Sequence, residues 1–241
     1  KGLLSSDLVM ADLVKVTGIA NAIFIAGSCA LLADGSVWCW GDNSRGQRGD
    51  GSTSTSENLV PTRVLHVTNA TFLSSASGNS CAVLMEGEVK CWGSDNDNGQ
   101  HGDGSSTSYN LAPDTVFNIT SAIKVAQSWG HTCALLFDRS MWCWGVNWDG
   151  RLGNSFESSQ SNTPVRVSGV NNVTDIAVGS SHTCALTHEA SVWCWGTNSW
   201  GALGDGSTNS SRIPSRVNIT AAKSIAAAGD RTCAVLMDST V

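Results

Sequence analysis

Nine cysteines at regular spacing are the residues best placed to do chemistry. Five of them open a Cys-Ala-(Leu/Val)-(Leu/Thr) segment, at Cys29, Cys81, Cys133, Cys184 and Cys233, with intervals of 52, 52, 51 and 49 residues. Ten residues after each of the first four stands a second cysteine, Cys39, Cys91, Cys143 and Cys194, followed each time by Trp-Gly. Such pairs can form disulfides, remain buried thiols, or ligate a metal together with His131 or His182, which lie two residues before Cys133 and Cys184. Zinc fits poorly, because Cys29 and Cys81 lack that His and no second ligand pair lies nearby in sequence. Disulfides are therefore expected at Cys29–Cys39, Cys81–Cys91, Cys133–Cys143 and Cys184–Cys194. Each would close a loop of about 11 residues, nominally worth ~3 kcal/mol, and less where a hairpin already restrains the loop.

Bridges in every repeat require an oxidising compartment. Five N-glycosylation sequons point the same way: Asn69-Ala-Thr, Asn118-Ile-Thr, Asn172-Val-Thr, Asn209-Ser-Ser and Asn218-Ile-Thr. Asn69 and Asn172 stand 12 residues before their anchor cysteine, and Asn118 and Asn218 stand 15 before theirs, so these four belong to one connection between units, on one rim. The plainer explanation is that Asn-x-Thr recurs by chance in turn-rich chains. Both lines lead to an extracellular reading, secreted or cell-surface, with N-linked glycans.

Other residue patterns carry less. Gly-x-Ser-x-Gly, phosphate-loop and His-Glu-x-x-His motifs are absent, and His131 and His182 belong to the repeat, where a structural role hydrogen-bonding turn backbone is expected. No catalysis, cofactor or metal site is expected. Asp95-Asn-Asp97-Asn-Gly99 suggests calcium superficially, but lacks the sixth-position Gly and twelfth-position Glu of a calcium loop. Arg48-Gly49-Asp50 is an integrin-type tripeptide whose Arg replaces the Leu of Leu152-Gly153 and Leu203-Gly204, so a structural turn is expected there. Trp129, Trp148 and Trp200 lie outside the repeat cores. Trp148 and Trp200, in equivalent Gly-rich loops, suit either protein or sugar contacts or a lid over the core.

The elements that position these residues are short strands. In Cys29-Ala-Leu-Leu-Ala-Asp34-Gly35-Ser-Val-Trp-Cys39 two apolar runs flank Asp-Gly, the strongest short hairpin signal. A three-residue loop Ala33-Asp34-Gly35, with Gly35 at positive φ, sets Cys29 opposite Cys39 at ~4.5 Å between Cα atoms, inside disulfide range. Trp38 and Trp40 then share the other face. With apolar groups on both faces the hairpin must be covered on both sides, so sheet has to stack on sheet. Gly35 and Gly87 become Arg139, Ala190 and Ser239 in later units, so those turns must be strained or change type.

A period near 50 residues, with Pro61, Pro113, Pro164 and Pro214 also in step, points to an all-β propeller of four-stranded blades. WD-type blades need a Trp-Asp that occurs only once here, and kelch blades a Gly-Gly that is missing. The run His131-Thr-Cys-Ala-Leu-Leu with Trp142-Cys-Trp144-Gly-Val-Asn147-Trp-Asp-Gly150-Arg-Leu-Gly153, and its copy from His182 to Gly204, resembles the regulator of chromosome condensation repeat. That resemblance covers essentially the whole chain and implies a ring of seven blades.

Seven units need about 355 residues, while 241 residues hold about 4.7. The units divide as 1–28 (the tail of a preceding unit), 29–80, 81–132, 133–183, 184–232 and 233–241 (a truncated start). The chain is therefore read as part of one propeller domain, whose open faces would be an aggregation liability.

Composition narrows function further. A formal charge of −6, with 14 Lys plus Arg against 20 Asp plus Glu and no basic cluster, argues against a nucleic-acid partner. No apolar run approaches the ~18 residues of a membrane helix, and 41% apolar residues exclude disorder. The expected function is a non-catalytic, disulfide-stapled glycoprotein scaffold or protein-interaction module, with a protein partner or self-assembly into a larger extracellular or fibrillar assembly as its context. The family resemblance adds nucleotide exchange on a small GTPase as an alternative, and the rim tryptophans add a lectin-like or enzyme-inhibitor module.

Overall fold

A computed structural model describes residues 15–219 and 221–241, and it is built from antiparallel sheets stacked side by side. Sheet 1 holds β1 (Ala22–Ala26), β2 (Cys29–Leu32), β3 (Val37–Asn43) and β4 (Ser54–Arg63). Sheet 2 holds β5 (Ala70–Ala76), β6 (Asn79–Leu84), β7 (Val89–Gly93) and β8 (Asn110–Thr115). Sheet 3 holds β9 (Ala122–Gln127), β10 (His131–Leu136), β11 (Met141–Val146) and β12 (Gln160–Arg166), with a 3-10 turn at Trp148–Gly150. Sheet 4 holds β13 (Val173–Val178), β14 (His182–Thr187), β15 (Val192–Gly196) and β16 (Ser211–Arg216), and sheet 5 holds β17 (Ala222–Ala228) and β18 (Arg231–Leu236). Strands run in chain order across each sheet. The first strands converge on a central groove lined by Phe24, Phe72, Lys124, Ile176 and Ile225, the arrangement of propeller blades around an axis.

The sheets are out of phase with units counted from the anchor cysteines. Ala22–Ala26 pairs with the strand carrying Cys29, so it opens sheet 1 and does not close a preceding unit. Likewise each later sheet starts eleven residues before its cysteine, because the first strand of a blade must turn back to reach the second.

Local chemistry explains the central hairpins. Asp34 Oδ1 accepts from the Ser36 N–H (2.9 Å) and hydroxyl (2.6 Å), fixing the loop, and Gly35 takes φ +75°. Where Gly is missing the turn keeps its type: Arg139, Ala190 and Ser239 sit at φ +65°, +57° and +70°, a strain of about 1 kcal/mol each. The register sets Cys29, Cys81, Cys133 and Cys184 opposite Cys39, Cys91, Cys143 and Cys194, and all four pairs are disulfide-bonded with Cα–Cα distances of 4.0–4.1 Å. The four prolines fall in the outermost strands, each inside a bulge where the register to the third strand shifts, so no ladder donor is lost.

The cores lie between sheets, not within them. Each combines a disulfide of one sheet with the Cys-Ala alanine and the second tryptophan of the next: Cys29–Cys39 with Ala82 and Trp92, Cys81–Cys91 with Ala134 and Trp144, Cys133–Cys143 with Ala185 and Trp195. This is why cysteine and tryptophan must point to opposite faces of one hairpin. Trp40, the equivalent residue of sheet 1, is half-buried, with no sheet in front of it among the described residues.

Candidate functional site

The Gly-rich loops joining third and fourth strands are organised by one buried asparagine each. Asn43, Asn96, Asn147 and Asn198 accept, through Oδ1, the N–H five residues on, at Arg48, His101, Leu152 and Leu203, with distances of 2.9–3.0 Å. Their Nδ2 groups donate further round the loop, for instance to Phe156 O (3.2 Å) and Ser158 O (3.0 Å) from Asn147. Asn96 is spent in this way on His101 and Ser105, so Asp95–Gly99 is an ordinary loop of this kind. Among the described residues no group of three or more His, Cys, Asp or Glu could hold a metal ion.

Arg48 occupies the position of the buried Leu152 and Leu203. It is itself buried, and its Nε lies 3.5 Å from Asp50 Oδ2. Arg48-Gly49-Asp50 therefore closes on itself within the loop.

These loops also receive the next sheet. Trp92, Trp144 and Trp195 donate their indole N–H to Gln47 O (3.2 Å), Gln100 O (2.8 Å) and Arg151 O (2.9 Å) of the preceding sheet. A Cβ on Gly102 would lie 2.7 Å from Trp144 Nε1, which is why the loop needs glycine there.

His131 and His182 differ from expectation. Their ring nitrogens meet side chains of the next sheet: His131 Nε2 lies 2.8 Å from Thr183 Oγ1, and His182 Nε2 lies 2.7 Å from Thr232 Oγ1. Thr183 Oγ1 already donates to Arg151 O (2.9 Å), so His131 Nε2–H donates to it and Nδ1 accepts from Ser128 Oγ at 3.1 Å. Burial holds both imidazoles below their usual pKa and so neutral. Their role is structural, clipping sheet to sheet by side chains and not by turn backbone.

The topology separates two rims. On one, the second-to-third strand turns abut the connections between sheets, as Ala70 N–H donates to Gly35 O (2.9 Å) and Ala122 N–H to Gly87 O (2.9 Å). Asn69, Asn118, Asn172 and Asn218 all lie in these connections and are exposed. Asn69, Asn118 and Asn172 have φ of +54° to +55°, which asparagine tolerates better than most residues. Thr71 and Thr174, two residues on, donate to strand carbonyls at 3.3 and 3.1 Å.

The opposite rim carries the aromatic groups and Asn209. Trp148 is 52% and Trp200 80% exposed, so neither is a lid over a core. Trp129 and Trp148 pair at 6.5 Å between ring centroids, and the Arg151 guanidinium packs 5.7 Å from the Trp148 ring. Arg151 is buried, donating to Trp148 O (3.1 Å) and Ser180 O (3.2 Å), and Thr197 Oγ1 reaches Asp149 Oδ2 (2.8 Å) across sheets 3 and 4. Trp200 and the Gly229–Arg231 turn line one open cleft. The result is an aromatic surface mounted on hydrogen-bonded loops.

Comparison with known proteins agrees with this architecture. A model of the regulator of chromosome condensation (RCC1) repeat matches residues 139–186 and 189–236, and a second of the same description matches 27–47, 122–151 and 173–201. The chain is 31% identical over 180 residues to the probable E3 ubiquitin-protein ligase HERC6 of Homo sapiens, covering 73% of this chain and 18% of that protein. Its fold is similar to human WBSCR16 (TM-score 0.75, 22% identity, 86% of this chain and 55% of that one). It is similar also to yeast RCC1 (Prp20) in complex with Kap60 (TM-score 0.74, 22% identity, 87% and 52%). The chain spans less than half the length of the curated relatives it matches.

Proposed function

Because the chain belongs to the regulator of chromosome condensation (RCC1) repeat family, we propose that it acts as a non-catalytic binding module: an extracellular, disulfide-stapled, N-glycosylated propeller that holds a protein partner on its tryptophan rim. The observation that carries this reading is the segregation of the two rims. Four exposed sequon asparagines share one rim, while Trp129, Trp148 and Trp200 stand on the other. Glycans at these four sites would shield the first rim, while the second carries the one remaining sequon, Asn209. Exposed Trp anchored on rigid loops is the residue type that dominates protein contacts. Four disulfides buried in the cores support an oxidising compartment.

Secretion from a eukaryotic host, followed by mass spectrometry without reduction and with peptide-N-glycanase, tests the first half. Free thiols at Cys29 and Cys39 together with a bare Asn118 would overturn it. Crosslinking of the secreted protein at its native surface, compared with Trp148→Ala/Trp200→Ala, tests the second half. A captured partner should be lost in that variant, with the melting temperature unchanged.

A further inference from the structure

On the tryptophan rim the segments of sheets 2 and 3, residues 94–109, 128–130 and 147–159, form one continuous surface. Gly104 N–H donates to Asn162 O (2.9 Å) and Asn162 Nδ2 to Gly104 O (2.8 Å), tying the first loop to the strand that the last one enters. Two kinds of side chain share this surface. Tyr109, Trp129, Trp148 and Phe156 are 45–67% exposed. Beside them stand five carboxylates, Asp95, Asp97, Asp103, Asp149 and Glu157, against one cation, Arg151, so these segments hold −4 of the chain's −6. His101 adds no charge, because burial keeps it neutral.

Arg151 is buried and spent on Trp148 O, Ser180 O and the Trp148 ring. Arg212 of β16, against Gly150, supplies an exposed cation at the outer edge. Among the described residues none of the five carboxylates forms an ion pair. The surface is therefore aromatic and acidic together, and that combination discriminates between partners. An anionic partner is repelled, and a purely apolar one would take water from the carboxylates and return nothing. Arginine and lysine suit both parts: their apolar stems lie along a ring, their charge is attracted to its face, and their heads pair with carboxylates. Arg151 beside Trp148 shows such a contact within the chain.

Building on the tryptophan rim as a partner surface, a reading on which this one rests, we propose that the portion from sheets 2 and 3 docks a cationic segment of a protein, its arginine or lysine stems on Trp129 and Trp148 and its charges on Asp97, Asp149 and Glu157. Isothermal calorimetry with nona-arginine, on the full chain stripped of N-glycans, tests it. The peptide should bind, and more weakly as salt is raised. Asp97→Asn/Glu157→Gln should weaken binding about fivefold or more, and Trp129→Ala/Trp148→Ala should do the same. Glu86→Gln/Glu189→Gln, an equal change of charge in the turns of the opposite rim, should leave it unchanged. Failure of nona-arginine to bind overturns the proposal, as does affinity untouched by Trp129→Ala/Trp148→Ala. Equal weakening by the two charge pairs overturns it too, since that would mark attraction to net charge alone. A crosslinked partner lost in Trp148→Ala/Trp200→Ala, with no binding of nona-arginine, removes the cationic chemistry and keeps the binding module. Nona-arginine binding with no such partner overturns the module, and with it the partner assigned to this surface.

Discussion

Trp92, Trp144 and Trp195 each fill an inter-sheet core and satisfy their indole N–H on the preceding sheet, so single residues here hold two blades together. Trp144→Ala should cost about 3–5 kcal/mol in urea unfolding, whereas Trp40→Ala, half-buried with no described sheet in front of it, should cost about 1 kcal/mol or less. The buried His101 makes a second test. Burial lowers its pKa from 6.5 to about 4. A base whose charged form is disfavoured by folding contributes stability in full above its unfolded pKa. That contribution is lost as the pH falls from 6.5 and levels off below about 4, a loss of roughly 3 kcal/mol. His101→Leu, the residue of the equivalent Leu152 and Leu203 positions, should flatten urea midpoints measured across that window. At this scale the sequence revealed the spacing of Cys, Trp and His and the opposite faces of Cys and Trp, but not the partners of His131 and His182. That His131 reaches Thr183 across a sheet boundary follows from packing, since 52 residues separate them.

At the scale of elements, the hairpins and Gly-rich loops were the most legible parts, because their determinants are local. Asp34-Gly35 fixes the turn by its own hydrogen bonds and φ, and the turns at Arg139 and Ala190 keep the same geometry at a cost. Arg139→Gly should raise stability by about 1 kcal/mol. Gly35→Ala should lower it by more, since the added Cβ would sit 2.6 Å from Asn69 Cα; thermal melts of both variants check this. Asn147 anchors its loop through three hydrogen bonds in a buried site. Asn147→Ala should cost about 2–3 kcal/mol and quench the Trp129–Trp148 contact, visible in near-ultraviolet dichroism. The asparagine stood in the repeat pattern, but its role was hidden, because an Asn beside Gly reads equally as a plain turn residue. The phase of the sheets was hidden too, since the first strands, such as Ala122–Gln127, carry no cysteine or tryptophan to mark them.

For the whole molecule, the disulfides are enclosed by sheet stacking while Cys233 is exposed. Native alkylation with iodoacetamide should therefore label Cys233 alone, and the other eight cysteines only after denaturation with reductant; native labelling at Cys133 or Cys143 would contradict the inter-sheet cores. Sheet 1 leaves Ile23 and Ile25 exposed, while Phe24 turns to Phe72 of sheet 2, 5.6 Å between ring centroids. By itself the sequence determined the hairpin register and the four cysteine pairs, which follow from residues within about a dozen positions of one another, and the repeat and propeller class, which follow from the recurrence of that pattern every fifty or so residues. Only the tertiary structure decided which rim each loop occupies, and that the tryptophans stand opposite four of the five sequons and share their rim with Asn209. Those are relations between sheets, and stacking, acting over some fifty residues of chain, sets them.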